Sequence, residues 1–417
     1  MLEGKKHLYL IFFVFLCVRV LFIFFTGYDN CELCPDCNWI NIISERALVG
    51  NFDFDVERFI FPPFYPCFIA LLKFLLGNFW AAGLVISQLL ISSISGVYFY
   101  KLSELLFPQD KRIAYLSTGL FAVFPLTLWW VHTFCTEMLF QSLLIISIYY
   151  LVLSCKKQEV KFVILSAAAF SIVFLTKSHI LPFTPFIVLA YFIGVKPFGK
   201  ALLYSICYAA ICLSATLPFG IYNLQKHGEY VLSSNGLKFH FYTGNSEFGY
   251  ISIVDVPPRD SDDFIKLKYV KHMGYFNGSV HDSIWVLPQK EKQELYLQQS
   301  LKWIKAHPAK FMELKVNNLS RFLLPGVSYQ QYTFWEWLLS LLISLPVYIF
   351  GYFGIVKALR NDFKSNFFIL GLFITLLLFS VIFYAQNRFR TITIEPFYIL
   401  YSACGLLLFY DSFLKRK

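Results

Sequence analysis

Residues 8–25 read LYLIFFVFLCVRVLFIFF, and this long apolar run follows two basic residues, Lys5 and Lys6. A bilayer-crossing helix needs about 20 mostly apolar residues, whereas the apolar core of a cleaved signal peptide spans about 7–15 and precedes a small-residue cleavage site. No such site follows residue 25. The run therefore predicts a first membrane-spanning helix.

The composition of the whole chain supports the same interpretation. Of its 417 residues, 57% are hydrophobic and 15% are charged, whereas soluble proteins carry about 25% charged residues. This shortfall indicates that much of the surface faces lipid, and it argues against a soluble multi-domain protein. The net charge of +10 is shared among loops that flank apolar segments. It indicates membrane orientation and gives no reason to expect a nucleic-acid partner.

Apolar segments of suitable length recur and predict an all-α polytopic membrane protein with about ten spans. The predicted spans are 8–26, 79–106, 113–131, 134–154, 160–177, 180–195, 200–220, 335–356, 366–384 and 393–413. Residues 64–76 are also apolar, but a helix of this length extends only about 20 Å and is too short to cross. We therefore predict an interfacial helix there.

The charge of the short loops predicts the orientation. With ten spans both termini lie on one side, where the loops are strongly basic, as at 111–112, 156–161 and 415–417. Such loops are typical of the cytoplasmic side. The termini are therefore expected to be cytoplasmic, with 27–78 and 221–334 outside. The single-module length favours a bacterial inner membrane.

The chain is predicted to have three parts. Residues 1–220 form a transmembrane module that includes the first outer loop, 27–78. Residues 221–334 form a small mixed outer domain, and 335–417 form three further spans. The outer domain closes with helical periodicity, which Pro308 is expected to break into two helices.

Two carboxylates at the outer ends of apolar segments are candidate catalytic residues. Asp36 precedes an amphipathic stretch, and Glu137 opens a span. Each could simply cap its helix. Alternatively, the two could face each other across the bundle as an acid–base site. A divalent cation could lie between them, although the sequence does not require a cofactor or identify a metal site.

Several cations also lie at outer positions, against the rule that orients the chain. They could snorkel into solvent or bind an anion such as a phosphate. These candidates are Lys177, Arg388, Arg390, His132 and Arg58.

Cys31, Cys34 and Cys37 form a CxxCxxC pattern in the first outer loop. On an oxidising face, two of the three are expected to pair as a disulfide. A zinc site would need a fourth ligand, which the sequence does not identify. The other cysteines lie mostly inside predicted spans and are expected to behave as small apolar residues.

An ordered set of motifs runs through nearly the whole chain. These motifs are Pro35-Asp36-Cys37-Asn38-Trp39, Pro62-Pro63-Phe64-Tyr65-Pro66, Thr136-Glu137-Met138, Leu217 to Asn223, Ser234-Asn235-Gly236, Tyr242 to Asn245, and Arg388-Phe389-Arg390 with Glu395-Pro396. In this order they resemble the lipid-dependent GT-C glycosyltransferases, in the branch of the family 39 protein O-mannosyltransferases, aminoarabinose transferase and rhizobial-type lipopolysaccharide transferases. The chain departs from the family at Tyr222-Asn223, which is commonly Arg-Asn, and at Lys177-Ser178, often Arg-Pro.

The resemblance implies a GT-C bundle that transfers a sugar from a polyprenyl-phosphate donor, with inversion, to a hydroxyl outside the cytoplasm. The acceptor would be a glycan, glycolipid or protein, as in lipopolysaccharide or protein glycosylation of the cell envelope. Asp36 would act as the base, and Glu137 would bind acceptor or metal. The cations would hold the donor phosphate. The alternatives are a lipid-linked polysaccharide ligase or polymerase, and a transporter or flippase for the lipid-linked sugar.

Overall fold

A computed structural model describes residues 6–28, 36–56, 58–254, 287–329 and 332–414. Within these ranges the chain is helical, apart from turns, bends and isolated bridge residues, which include the pair Asp55 and Ile60. The α-helices are α1 (Lys6–Thr26), α2 (Cys37–Leu48), α3 (Phe64–Leu76), α4 (Trp80–Leu106), α5 (Lys111–Val123), α6 (Pro125–Leu128), α7 (Glu137–Lys157), α8 (Val160–Thr176), α9 (Thr184–Gly194), α10 (Phe198–His227), α11 (Leu237–Gly244), α12 (Glu247–Ile253), α13 (Gln289–Ala306), α14 (Pro308–Leu323), α15 (Phe334–Asn361), α16 (Phe363–Ile382), α17 (Asn387–Thr393) and α18 (Glu395–Leu414). The predicted all-α class is confirmed.

Helix length and composition identify the candidate spans. Seven described stretches are long and apolar enough to cross a membrane: α1, α3 with α4, α7, α10, α15, α16 and α18. An eighth is α5 together with Pro125–His132, bent by 59°. Two shorter apolar helices, Val160–Thr176 and Ser178–Gly194, complete the set. These elements coincide with the ten predicted spans, although length alone supports seven or eight crossings.

α3 and α4 together form an apolar stretch of 43 residues. A straight helix of that length would extend about 65 Å, roughly twice the hydrocarbon thickness. The chain instead turns at Gly77, whose φ of 52° lies in the region that glycine adopts readily. Gly83 on α4 then packs directly against the Leu76 side chain. α3 is therefore a helix of its own, and its interfacial position stays a prediction.

α15 and α18 pack closely through glycines. A Cβ on Gly354 would lie 1.9 Å from the carbonyl oxygen of Tyr401, and one on Gly405 would lie 2.0 Å from that of Phe350. Small residues allow the backbones of membrane helices to approach in this way. The contact fixes α18 against α15 and so positions Glu395, the buried first residue of α18.

The beginnings of α2 and α7 meet over a second apolar cluster. Cys37 and Ile40 of α2 are fully buried there, together with Phe134 and Cys135, which precede α7. This packing brings the start of α2 close to the start of α7. The predicted break at Pro308 is present between α13 and α14. The three-part division of the chain stays a prediction, and residues 255–286 lie outside the described ranges.

Candidate active site

Four of the candidate residues meet in one cluster. Arg388 Nη1 lies 3.2 Å from Asp36 Oδ2 and 3.7 Å from Glu137 Oε1. Lys177 Nζ lies 2.9 Å from the same Glu137 oxygen. Asp36 and Arg388 are 352 residues apart in sequence. The fold therefore joins two carboxylates and two cations that come from four separate segments.

Each of these side chains lies at the end of a helix. Asp36 immediately precedes α2, and Glu137 is the first residue of α7. Lys177 follows the last residue of α8 in extended backbone, and Arg388 is the second residue of α17. Asp36 occupies the N-cap position of α2, but its side chain makes no capping hydrogen bond. The carboxylate accepts a hydrogen bond from Arg388 instead. The helix-cap interpretation of Asp36 is therefore wrong for its side chain.

The two carboxylates differ in their access to the cavity. The side chain of Asp36 is 36% exposed, whereas that of Glu137 is 1% exposed. A buried carboxylate needs compensating charge, which Lys177 and Arg388 supply. Asp36 can meet a ligand directly, whereas Glu137 is enclosed by the groups that neutralise it.

Electrostatics keep Asp36 ionised. Desolvation acts to raise the pKa of its carboxyl, but the nearby Arg388 and Lys177 charges outweigh it and hold the pKa below its ordinary value. Burial acts to lower the pKa of Arg388, and the charges of Asp36 and Glu137 reverse that effect and raise it. Asp36 and Arg388 are therefore both charged at neutral pH.

The cluster opens into a cavity of about 1790 Å³. Its walls differ in character. Its polar lining includes Asp36, Arg58, Lys177, His240 and Arg388. Its apolar lining includes Pro125, Leu126, Trp129, Leu339 and Ile343. Trp129, Leu339 and Ile343 are themselves exposed at the protein surface. The cavity therefore joins a charged end to an apolar side that reaches candidate membrane-spanning helices.

Two cavity residues, His240 and Tyr384, carry no signal in the sequence that marks them as site residues. The Tyr384 hydroxyl and His240 Nδ1 are 3.1 Å apart and share a hydrogen bond. Burial lowers the pKa of His240 to about 4, with Arg388 and Lys177 adding to the effect of burial and Asp36 opposing it. The imidazole is therefore neutral at pH 7 and contributes hydrogen bonding rather than charge. Only tertiary packing brings α11 to this position.

Arg390 lies two residues from Arg388 but points into the protein. Its guanidinium donates to Glu395 Oε1 at 2.9 Å and to the carbonyl of Arg321 at 2.8 Å. It also donates to the carbonyls of Leu324 and Gly326. The Arg390 side chain is 3% exposed and that of Glu395 is 0% exposed. These contacts tie α17 and α18 to the end of α14.

The other two predicted phosphate ligands do not join the ion-pair cluster. The ring of His132 packs against Phe22 and Trp129, and its Nδ1 lies 2.5 Å from the Trp129 carbonyl oxygen. Arg58 also lines the cavity, and its carbonyl accepts a hydrogen bond from the side chain of Gln293. Of the predicted cations, Lys177 and Arg388 are therefore the ones that contact the carboxylates.

The cysteines near the site are oxidised. Cys37 and Cys135 are each disulfide-bonded. Cys31 and Cys34 lie outside the described residues, so pairing within the triplet stays a prediction. Cys135 lies in the predicted span 134–154, where it is expected to behave as a small apolar residue. The cysteine is indeed buried, but it is bonded.

The residues at this site do not fit a divalent cation between the two carboxylates. Arg388 Nη1 lies within 4 Å of both carboxylates, and Lys177 Nζ contacts Glu137. Among the described residues, no group of three or more His, Cys, Asp or Glu side chains is placed to hold a metal ion. The positive charge between Asp36 and Glu137 is thus supplied by the protein itself.

Comparisons with known proteins agree with this architecture. Residues 61–222 match the model of a family described as dolichyl-phosphate-mannose-protein mannosyltransferase. Two crystal structures of the Archaeoglobus fulgidus oligosaccharyltransferase, one tethered to an acceptor peptide and one in complex with zinc and sulfate, are similar with TM-scores of 0.56 and 0.52. The chain has the fold of the GT-C glycosyltransferases. Its predicted resemblance to that superfamily is confirmed.

These similarities have definite extents. Each structural match has 14% sequence identity and covers 98% of this chain but 50% of the oligosaccharyltransferase chain. This chain therefore spans about half the length of that protein. No curated protein sequence matches it. The mannosyltransferase match includes Glu137 and Lys177, whereas Asp36 and Arg388 lie outside it.

The buried Arg390–Glu395 pair predicts a loss of stability. Arg390→Ala is expected to cost about 3–5 kcal/mol of unfolding free energy, because Glu395 would remain buried without its partner. Arg112→Ala is the matched control, since the ion pair between Arg112 and Asp110 is exposed and should contribute little to stability. Thermal unfolding of both variants in detergent measures the difference. An Arg390→Ala protein as stable as wild type would contradict a structural role.

Proposed function

We propose that this chain is a membrane glycosyltransferase that moves a sugar from a polyprenyl-phosphate donor to an acceptor hydroxyl on the outer face of the membrane. The observation that carries the proposal is the arrangement of Arg388 and Lys177. Both line a cavity that also contains an accessible carboxylate, Asp36, and an apolar side. A lipid-linked sugar phosphate has the matching parts, namely an anion, a sugar and a hydrocarbon chain.

The donor phosphate would bind at Arg388 and Lys177. Arginine suits phosphate because its planar guanidinium can donate two parallel hydrogen bonds. The hydrocarbon chain would lie along Pro125, Leu126, Leu339 and Ile343, where contact with lipid exposes no unpaired backbone groups. The mannosyltransferase family carries a lipid-phosphate sugar in its description, which supports the same donor class here.

Asp36 would act as the general base. Its carboxylate takes the proton of the acceptor hydroxyl as that oxygen bonds to the anomeric carbon of the sugar. The bond from the anomeric carbon to the phosphate oxygen breaks at the same time, and the phosphate leaves with the bonding electrons. Arg388 and Lys177 stabilise the charge that develops on the leaving oxygen. Attack opposite the phosphate inverts the anomeric configuration.

Glu137 and Arg390 would support this site without touching substrate. The buried carboxylate of Glu137 holds Lys177 and Arg388 in place. Arg390 holds the helix that carries Arg388. Arg58 and His240, which also line the cavity, would meet the acceptor, which is a glycan, glycolipid or protein. The orientation with cytoplasmic termini, in a bacterial inner membrane, belongs to this proposal.

Asp36→Asn tests the base assignment. The variant keeps the size of the side chain but cannot accept the proton, so turnover is expected to fall by at least about 100-fold. Glu45→Gln is the matched control, because Glu45 lies on the same helix and its side chain is 63% exposed. The measurement is transfer of radiolabelled sugar from polyprenyl-phosphate donors in proteoliposomes that contain total membrane extract as the source of acceptor.

The same assay separates the alternatives. Near-normal turnover in Asp36→Asn would remove Asp36 from the role of base. Transfer only from a polyprenyl-diphosphate oligosaccharide would identify a ligase or polymerase. Movement of the labelled lipid across the bilayer without transfer would identify a transporter.

The pH dependence tests the link between Arg388 and Asp36. In wild type the acid limb of kcat/KM should lie below the ordinary pKa of an aspartate, because Arg388 helps to keep Asp36 ionised. Arg388→Gln removes a charge that lowers the pKa of Asp36, whereas desolvation, which raises that pKa, remains. The acid limb should therefore move to higher pH, along with a loss of rate. Arg112→Gln is the control, because Arg112 forms an exposed ion pair with Asp110. This variant should keep the wild-type pH profile.

Chelation tests whether the protein's own cations, rather than a metal ion, supply the positive charge between Asp36 and Glu137. Because Arg388 already links the two carboxylates, transfer in excess EDTA is expected to stay within about twofold of the untreated rate, whereas a site that uses a metal as Lewis acid would lose far more. The measurement is the initial rate of sugar transfer with EDTA and after addition of Mg²⁺ or Mn²⁺. A loss that either ion restores would contradict the expectation.

A further inference from the structure

Both carboxylates of the site lie beside a disulfide-bonded cysteine. Asp36 directly precedes Cys37, and Cys135 comes two residues before Glu137. Cys37 and Cys135 are each in a disulfide. The other six described cysteines, which include Cys67, are free. Oxidation is therefore concentrated at the two segments that carry the acidic residues.

The same two cysteines are buried directly beneath the site. Cys37 is 0% exposed and Cys135 is 2% exposed, and both belong to the apolar cluster that joins α2 to the start of α7. Cys37 is also the first residue of α2, and Cys135 precedes the first residue of α7 by two positions. Each disulfide therefore restrains the chain within two residues of a carboxylate.

The carboxylate of Asp36 has little other support. It makes no helix-capping bond, and its described hydrogen bond is the one from Arg388 at 3.2 Å. Arg388 must also reach Glu137 at 3.7 Å. Arg388 can reach both carboxylates at once only if α2 and α7 begin close to each other. A displacement of about 1 Å at such a site can cost about 100-fold in rate.

We propose that Cys37 and Cys135 are positioning residues whose disulfides hold Asp36 and Glu137 at Arg388, so that the enzyme is fully active only when both are oxidised. The inference rests on the proposed function. It also assigns the catalytic end of the bundle to an oxidising compartment, because cytosolic thiols are kept reduced and disulfides persist outside the cytosol.

Thiol labelling tests the oxidation without any activity assay. The full chain, purified without reductant, is denatured and treated with a maleimide, then reduced and treated with a second, heavier maleimide. Mass spectrometry should find the first label on Cys67 and the other free cysteines. Cys37 and Cys135 should carry the second label alone. First label on either residue would overturn the cross-links, whatever the transfer assay reports.

Reduction of the folded protein tests the positioning role. Proteoliposomes treated with a membrane-impermeant phosphine are expected to lose at least about tenfold in kcat, because the base moves relative to Arg388. KM for the polyprenyl-phosphate donor should stay within about twofold, because the cations that bind it remain. Reoxidation should restore kcat, which excludes irreversible unfolding. Cys67→Ser should respond to the phosphine as wild type does. Cys37→Ser should already have, before any phosphine treatment, the lower kcat of the phosphine-treated wild type.

The outcomes are separable. Protected cysteines with an unchanged kcat after reduction would overturn the positioning role. If KM rose along with a loss of folded protein, the disulfides would be general stabilisers of the fold. That result would also overturn the positioning role. If oxidised wild type transferred no sugar, the proposed function would fail, and the labelling result would still decide whether the cross-links exist.

Discussion

The placement of Arg388 between Asp36 and Glu137 is the interaction on which the site depends. Glu137 is almost fully buried, and an unpaired carboxylate there would cost several kcal/mol. Lys177 and Arg388 remove that cost, and in doing so both cations acquire fixed positions. Arg388 then reaches Asp36, which is open to the cavity. A phosphate that enters would meet cations already oriented, which is the preorganisation that stabilises developing charge most effectively.

The scaffold around this interaction explains why α17 is a separate short helix. Arg388 and Arg390 are two residues apart, so on a helix they point to nearly opposite sides. One faces the cavity, and the other is anchored by Glu395 and by carbonyls at the end of α14. Glu395 in turn accepts a hydrogen bond from Tyr348 of α15, which packs on α18 through glycines. The packing of α15 on α18 therefore helps to fix the position of α17 and, with it, the position of the Arg388 guanidinium.

Hydropathy and loop charge were sufficient to predict the helical bundle and to place Asp36, Glu137, Lys177 and Arg388 at the ends of its helices. They could not distinguish Arg388 from Arg390, because the two occur in one motif and only the direction of each side chain separates them. They also could not find His240, which reaches the cavity through the packing of α11. Cys135 resembles any small apolar residue in sequence, and nothing in its local pattern indicates that it is disulfide-bonded.

The charge balance of the cluster favours a donor with a single phosphate. Asp36 and Glu137 offset Arg388 and Lys177, and His240 is neutral at pH 7 because its pKa is lowered to about 4. A sugar linked to a polyprenol through one phosphate brings one negative charge, which Arg388 and Lys177 can stabilise while Glu137 stays paired. A diphosphate brings two charges into the same low-dielectric site and would need further cations or loss of the carboxylate pairs. In the proposed reaction, protonation of Asp36 as the acceptor oxygen attacks would remove one negative charge as the leaving phosphate gained one, so the net charge of the cluster would stay constant.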